Sequence, residues 1–177
     1  LSVEGEQNSF KLTLARGMMY LENLQLDRAE ETAQKLQATF PESNDIKNFM
    51  AAILIKRGNA VQAQRLLEEI LEQKKGSFAV EFNLATTLKM QGQHEAAQEK
   101  LSTLLEQRPE SAQVRYMLGQ IYAENKAYDK AIPLLETLRL GKVGTNSKEL
   151  LFTIYMATKS YDKALRVIKE LNETSLY

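Results

Sequence analysis

Cysteine and tryptophan are absent from this 177-residue sequence, and histidine occurs only once, at His94. The lack of cysteine excludes disulfide bonds, thiolate nucleophiles and metal sites built on cysteine. A single histidine excludes any metal site that needs two imidazole ligands. A chain without cysteine also suits an oxidising compartment such as the periplasm, which the sequence therefore favours while the cytoplasm stays open.

An excess of one charge is absent as well. Lysine plus arginine and aspartate plus glutamate both number 23, so the net charge is zero. A protein that binds nucleic acid without specificity needs a basic surplus, so we expect no nucleic-acid partner. The sequence has no run of 18 apolar residues, and we expect no insertion into a membrane. Hydrophobic residues at 44% and charged residues at 26% exclude a disordered chain.

Alanine recurs with a fixed period along the chain. Ala29, Ala63, Ala97 and Ala131 are 34 residues apart, and Ala164 follows 33 residues later. Residues related by this spacing hold equivalent positions in successive repeats. A period of 34 is typical of stacked helix–turn–helix units, so the sequence predicts an all-α solenoid of about five helix hairpins.

The period divides the chain into a lead-in and five repeats. Residues 1–9 are polar and are interpreted as a frayed lead-in or the end of a preceding repeat. The repeats are predicted at residues 10–43, 44–77, 78–111, 112–144 and 145–177. Gly58 and Gly92 are predicted in turns because glycine adopts positive φ readily. Gly141 and Gly144 are predicted to end the second helix of the fourth repeat. The chain begins at Leu1 rather than methionine, so we expect an excised fragment or a processed product.

A Leu-Gly pair followed three residues later by tyrosine stands in the first helix of the fourth repeat, as Leu118-Gly119 and Tyr122. Gly17 and Tyr20 match the same pattern in the first repeat. On these residues and the periodic alanines, the sequence resembles the tetratricopeptide repeat family over about residues 10–171. The resemblance implies a single right-handed α-α superhelix over residues 10–177, in which the small residues let paired helices pack backbone to backbone.

This resemblance also implies a function and a site. Family members are non-enzymatic scaffolds that bind a peptide or a partner protein in a concave groove lined by the first helices, without a cofactor. The corresponding stripe in this chain comprises Leu14, Met18, Asn48, Phe82, Thr86, Tyr116, Gln120, Glu149 and Thr153. Phe82 and Tyr116 are the expected anchors. The alternative is that both rings only fill the inner wall between repeats.

Other candidate sites are weighed on the same repeat pattern. His94 could serve as a base or a ligand, but its position at the start of a second helix favours packing. The Glu30-Glu31 pair lies on a second helix and is interpreted as part of a solvated face. Only Asn83 matches the residues that chaperone-binding members use to hold a carboxylate, so that specificity is not expected.

Two hypotheses on the wider role follow. The chain resembles the long repeat arrays of bacterial exopolysaccharide-export and secretion systems, which implies an envelope protein. The alternative is an assembly module that self-associates through its terminal faces. The last helix carries Leu165, Val167, Ile168 and Leu171 without a polar cap. We therefore expect the chain to continue past Tyr177, or a second copy to cover this face.

Overall fold

The computed structural model describes residues 3–73, 77–138 and 141–174. Within these residues there are ten α-helices and no β-strand, which confirms the all-α helical-repeat class with five hairpins. In chain order the helices are α1 (Val3–Glu22), α2 (Leu26–Thr39), α3 (Asn44–Lys56), α4 (Ala60–Gln73), α5 (Phe78–Met90), α6 (His94–Gln107), α7 (Ala112–Glu124), α8 (Tyr128–Glu136), α9 (Gly141–Ala157) and α10 (Tyr161–Thr174).

The chain forms two compact units, Leu1–Ala97 and Gln98–Tyr177, and the boundary falls within α6. Unit 1 contains α1 to α5, with a core that includes Leu21, Ala29, Ala33, Phe49 and Ile53. Unit 2 contains α7 to α10, with a core built around Ala131, Leu135, Leu151, Ile154 and Ala164. The single solenoid domain that the sequence predicts across residues 10–177 stays a prediction.

The periodic alanines lie at the tightest points of packing. Each of the five is at most 2% exposed, which confirms the register assigned from the sequence. A Cβ added to Gly17 would lie 2.7 Å from Cζ of Phe49, and one added to Gly119 would lie 2.8 Å from Cδ2 of Leu135. These two glycines therefore make room for a neighbouring side chain rather than for a backbone.

Every turn between the two helices of a hairpin places one residue in the left-handed region of the backbone. These residues are Leu24, Gly58, Gly92, Lys126 and Lys159, with φ between 57° and 81°. They occupy one equivalent position. The following N–H donates to a carbonyl five residues back, as from Ala127 to Tyr122 at 2.8 Å, which is the Schellman arrangement of a helix end. The two turn glycines predicted from the sequence are confirmed.

The left-handed conformation of Lys126, in the turn before α8, predicts that glycine at this position would stabilise the chain. Because a side chain in the left-handed region costs about 1–2 kcal/mol, we expect Lys126→Gly to raise the free energy of unfolding by about 1 kcal/mol. The matched control is Lys35→Gly in the middle of α2, which should lower it by about 1 kcal/mol. Urea denaturation followed by circular dichroism measures both changes. A loss of stability in both variants would contradict the account of the turn.

Residues 3–9 belong to the first turns of α1, and their assignment as a lead-in or the end of a preceding repeat stays a prediction. One expectation about a helix end is wrong. Gly141 and Gly144 do not end a helix, because α9 begins at Gly141 and contains both. In the preceding repeats Ser77 and Ser111, at the position equivalent to Gly144, cap α5 and α7 with their hydroxyls. Glycine has no side chain to cap with, and its low helix propensity is a weak rule that tertiary context overrides.

Polar pairs recur at equivalent positions between the two helices of a hairpin. Lys47 Nζ lies 3.9 Å from Glu69 in unit 1, and Lys148 Nζ lies 3.5 Å from Glu170 at the equivalent position in unit 2. Each carboxylate is about half exposed, so each pair contributes little to stability.

Candidate binding surfaces on the first helices

In unit 1 the predicted stripe lies along α1, α3 and α5, the first helix of each hairpin. Leu14, Asn48, Phe82 and Thr86 are half-buried, and Met18 is 42% exposed. Leu14 packs against the core cluster that contains Phe49, and the rest of its side chain is exposed to solvent. Unit 1 therefore presents apolar surface beside polar groups on neighbouring helices.

An amide pair joins two of these helices. Nδ2 of Asn83 donates to Oδ1 of Asn48 at 2.9 Å, which links α5 to α3. The Thr86 hydroxyl donates to the carbonyl of Phe82, one turn earlier on α5, at 2.9 Å. Asn83 thus supports the stripe by orienting Asn48, a contact between helices that helical spacing on α5 alone did not predict.

In unit 2 the predicted stripe residues lie on α7 and α9. Nε2 of Gln120 donates to the phenol oxygen of Tyr116 at 3.2 Å, which holds the ring along α7. On α9 the Thr153 hydroxyl donates to the carbonyl of Glu149 at 3.0 Å. Tyr116 and Gln120 are half-buried, while Glu149 and Thr153 are exposed.

A shallow cavity of about 210 Å³ opens between α7 and α9, beside this part of the stripe. Gln120 and Thr153 line it together with Tyr128, Leu150 and Ile154. It joins amide and hydroxyl groups to apolar walls, as a site for a single side chain of a bound segment requires. The sequence predicted Gln120 and Thr153 as site residues but not the other residues that line this cavity.

The environment of Tyr116 keeps its phenol protonated. Burial raises the pKa of Tyr116 above its ordinary value, and the negative charge of Glu149 raises it further. The hydrogen bond from Gln120 acts in the opposite direction, but the net shift is upward. The Tyr116 hydroxyl, which is neutral at neutral pH already at its ordinary pKa, therefore stays neutral to a higher pH.

A second cavity, which the sequence did not predict, lies between α8, α9 and α10 and measures about 530 Å³. Lys148, Lys163, Arg166, Glu136 and Tyr155 are among its lining residues. The Tyr155 hydroxyl donates to Glu136 at 2.6 Å, and burial together with this carboxylate raises the pKa of Tyr155 above its ordinary range. Lys148 and Glu170, which repeat the pair of Lys47 with Glu69, also line this cavity.

The remaining candidates have the positions that the repeat pattern predicts. His94 is half-buried and is the first residue of α6. Glu30 is half-buried and pairs with Arg57 at 2.8 Å, while Glu31 is exposed. Within the described residues, no group of three or more acidic or histidine side chains is placed to hold a metal ion. No helix in the described parts of the chain combines the length and the apolar character needed to cross a membrane.

Comparison with known proteins gives a consistent result for the fold. Residues 82–142 match the family profile described as tetratricopeptide repeat. No curated protein matches the sequence. Among solved structures, pilF of Pseudomonas aeruginosa superimposes with a TM-score of 0.76 at 19% identity, over 96% of this chain and 78% of that one.

Two further structures carry the name of the same family. A thermophilic TPR protein of Thermus thermophilus has a TM-score of 0.76 at 16% identity, covering 93% of this chain and 90% of that one. A tetratricopeptide repeat protein of Parabacteroides merdae has a TM-score of 0.66 at 16% identity, covering 95% of this chain and 67% of that one. The profile match over residues 82–142 and the fold shared with these structures support a tetratricopeptide-type helical repeat in this chain.

Proposed function

We propose that the chain is a non-enzymatic scaffold that binds a peptide segment of a partner protein on the first-helix stripe. Stacked helical repeats create extended binding surfaces of this kind. Each unit supplies one aromatic anchor, Phe82 in unit 1 and Tyr116 in unit 2, with polar groups beside it that set the register of a bound segment. This arrangement suits a segment that buries a few side chains and hydrogen-bonds through its backbone.

The observation that carries the proposal is the half-buried state of the polar groups on the stripe. Asn48 accepts one hydrogen bond from Asn83, and an amide side chain has two donors and a second lone pair beyond that bond. Gln120 donates to Tyr116 and in the same way keeps an acceptor. Groups held in place by a neighbour, yet open to solvent on one side, lose little conformational freedom when they bind.

A non-catalytic role is part of the proposal. General acid–base catalysis needs a donor or acceptor positioned within hydrogen-bond reach of a second catalytic group. The one histidine of the chain, His94, stands at the start of α6 in a position that other repeats fill with Leu26, Ala60 and Tyr128. A position that accepts such different side chains is typical of helix packing.

The binding proposal is tested with peptides selected from a phage-displayed library of random linear sequences and then measured by titration calorimetry. Phe82→Ala and Tyr116→Ala should each reduce the binding free energy of a selected peptide by about 1–2 kcal/mol, as loss of a buried aromatic anchor does. This corresponds to a roughly tenfold loss of affinity. His94→Ala is the control and should leave the affinity unchanged. Circular dichroism checks that every variant remains folded.

Two results would contradict this assignment. If neither Phe82→Ala nor Tyr116→Ala changes the affinity of any selected peptide, the site lies elsewhere on the chain. If His94→Ala abolishes binding without unfolding the protein, the packing interpretation of His94 is wrong. A place in an exopolysaccharide-export or secretion system remains a finer hypothesis, supported by the absence of cysteine and the divergent repeats. It is tested by identifying the partner that co-purifies with the protein from its source.

A further inference from the structure

The cavity of about 530 Å³ between α8, α9 and α10 carries a surplus of positive charge. Lys148 of α9 and Lys163 and Arg166 of α10 line it, together with the carboxylates of Glu136 and Glu170. Spacings of three and four residues place Lys163, Arg166 and Glu170 on one face of α10. Three positive and two negative side chains give the cavity a net charge of +1, and its volume suits a small ligand.

Both carboxylates of the cavity have a partner inside it. Glu136 accepts a hydrogen bond from the Tyr155 hydroxyl at 2.6 Å. Glu170 lies 3.5 Å from Nζ of Lys148, whose side chain is only 14% exposed. The negative charges of the cavity are therefore engaged by a phenol and by one of its three cations.

The other two cations are not balanced in this way. In the described part of the chain, neither Lys163 nor Arg166 forms an ion pair with a carboxylate. Nζ of Lys163 lies 5.4 Å from the centre of the Tyr155 ring, a cation–π contact that holds this charge at the cavity. The charge of Arg166 opposes the rise in the pKa of Tyr155, so it also acts on the interior of the cavity.

The exposure of this groove does not depend on its place in the last hairpin. In unit 1, Lys47 and Glu69 stand at the positions equivalent to Lys148 and Glu170, and α5 packs against α4 beyond them. The side chains of the first pair are 16% and 55% exposed, and those of the second pair are 14% and 50% exposed. A hairpin that follows therefore leaves a groove of this kind open.

The groove of unit 1 lacks two parts of the charged cavity. Gln62 stands at the position equivalent to Lys163, and Leu54 stands at the position equivalent to Tyr155. The second cation and the ring that holds it are therefore specific to the groove of unit 2. The equivalent positions in unit 1 provide matched controls.

We propose that the cavity between α8, α9 and α10 binds a ligand with a single carboxylate, which Arg166 and Lys163 hold. A guanidinium presents paired N–H donors that match the two oxygens of a carboxylate, and the ammonium adds a second positive charge. One carboxylate balances the net charge of +1, whereas a phosphate dianion exceeds it. Leu138 and Leu151 also line the cavity and provide contact for an apolar body beside the carboxylate.

This site goes beyond the proposed peptide site. Its lining residues include none of the stripe and none of those around the smaller cavity between α7 and α9. On α9, Lys148 and Tyr155 lie on one face of the helix, while Leu150 and Thr153 line the smaller cavity from the other. The two sites therefore accept separate tests.

Two-dimensional amide NMR spectra of the full chain, recorded during titration with benzoate, test the proposal. Benzoate combines one carboxylate with an apolar ring, and it should shift the signals around the cavity on α8, α9 and α10 until they saturate. Benzamide has the same shape without the charge and should cause no such shift. A blocked dipeptide of glutamate and phenylalanine presents the same two groups as a partner protein would. Whichever of benzoate and the dipeptide binds more tightly identifies the source of the carboxylate.

Variants in pairs locate the carboxylate. Arg166→Gln should weaken benzoate binding about tenfold, because it removes a charge-assisted pair of hydrogen bonds. Arg65→Gln, at the equivalent position in unit 1, should leave this affinity unchanged. Glu170→Gln should strengthen benzoate binding, because it removes a carboxylate that competes for Lys148, and Glu69→Gln is its control. Circular dichroism checks that each variant keeps its helical content.

Four outcomes would overturn the proposal. The first is the absence of saturating shifts around the cavity with both benzoate and the dipeptide. The second is equal binding of benzamide, and the third is tighter binding of inorganic phosphate than of benzoate. The fourth is a folded Arg166→Gln variant that binds benzoate as the unaltered chain does. Tyr116→Ala should leave benzoate binding unchanged, which keeps this result separate from that of the peptide site.

Discussion

Phe49→Ala is expected to lower the free energy of unfolding by about 3–5 kcal/mol, because it removes a large buried ring and leaves a cavity. Phe49 is 1% exposed and belongs to the core of unit 1 together with Ala29 and Ala33. Its ring also fills the space above Gly17, where an added Cβ would lie 2.7 Å from Cζ. Urea denaturation followed by circular dichroism measures the loss.

The contact with Gly17 adds a sharper test of the same packing. Gly17→Ala should destabilise the chain by about 1–3 kcal/mol through overpacking, because the new Cβ would lie 2.7 Å from the Phe49 ring. In the Phe49→Ala background the same substitution should cost clearly less, with only the contact to Cγ2 of Thr32 at 3.0 Å remaining. Phe82→Ala, which truncates a half-buried ring, is the matched control and should cost less than Phe49→Ala. Equal costs of Gly17→Ala in both backgrounds would show that the two residues do not interact.

Leu135→Ala is expected to have the next largest effect, a loss of about 2–5 kcal/mol in the free energy of unfolding. Leu135 is completely buried in the core of unit 2 and fills the space at Gly119. Its backbone carbonyl accepts a hydrogen bond from the buried hydroxyl of Ser147 at 2.9 Å, which ties α8 to α9. The alanine variant keeps this bond, so the measured loss reports on the side chain.

A neighbour on the same helix provides the control for this prediction. Leu134 is half-buried, so Leu134→Ala should cost clearly less than Leu135→Ala in the same denaturation experiment. Gly119→Ala should destabilise the unaltered chain, since its Cβ would lie 2.8 Å from Cδ2 of Leu135, and it should be tolerated once Leu135 is alanine. If the two leucine variants lose the same stability, burial does not set the cost at these positions.

Sequence reasoning predicted the polar and aromatic residues of the candidate site. Helical spacing alone placed Tyr116 and Gln120 on one face, and their hydrogen bond bears out that local geometry. Helical spacing could not predict the hydrogen bond between Asn83 and Asn48, because a bond between two helices depends on the distance between those helices. The cavities between helices were missed for the same reason. Whether a partner binds these residues remains a prediction.

The helix ends show a similar division. Gly58 and Gly92 predicted two of the turns from residue type alone. Leu24, Lys126 and Lys159 adopt the same left-handed conformation, which their residue types do not predict. The two helices of each hairpin pack in the same way, and the turn between them adopts the same backbone conformation in all five hairpins. An ordinary residue is then held there at a cost that the packing of the hairpin offsets.

The period of the alanines was enough to establish the repeat, its length and its helical hairpins, because small residues must recur wherever two helices approach closely. Residue type could not reveal which neighbour enters the space at each small residue, a phenylalanine of the next hairpin at Gly17 and a leucine of the same hairpin at Gly119. It also could not distinguish the buried Leu135 from the partly exposed Ile168. Burial depends on what packs against a side chain, and that arrangement exists only in three dimensions.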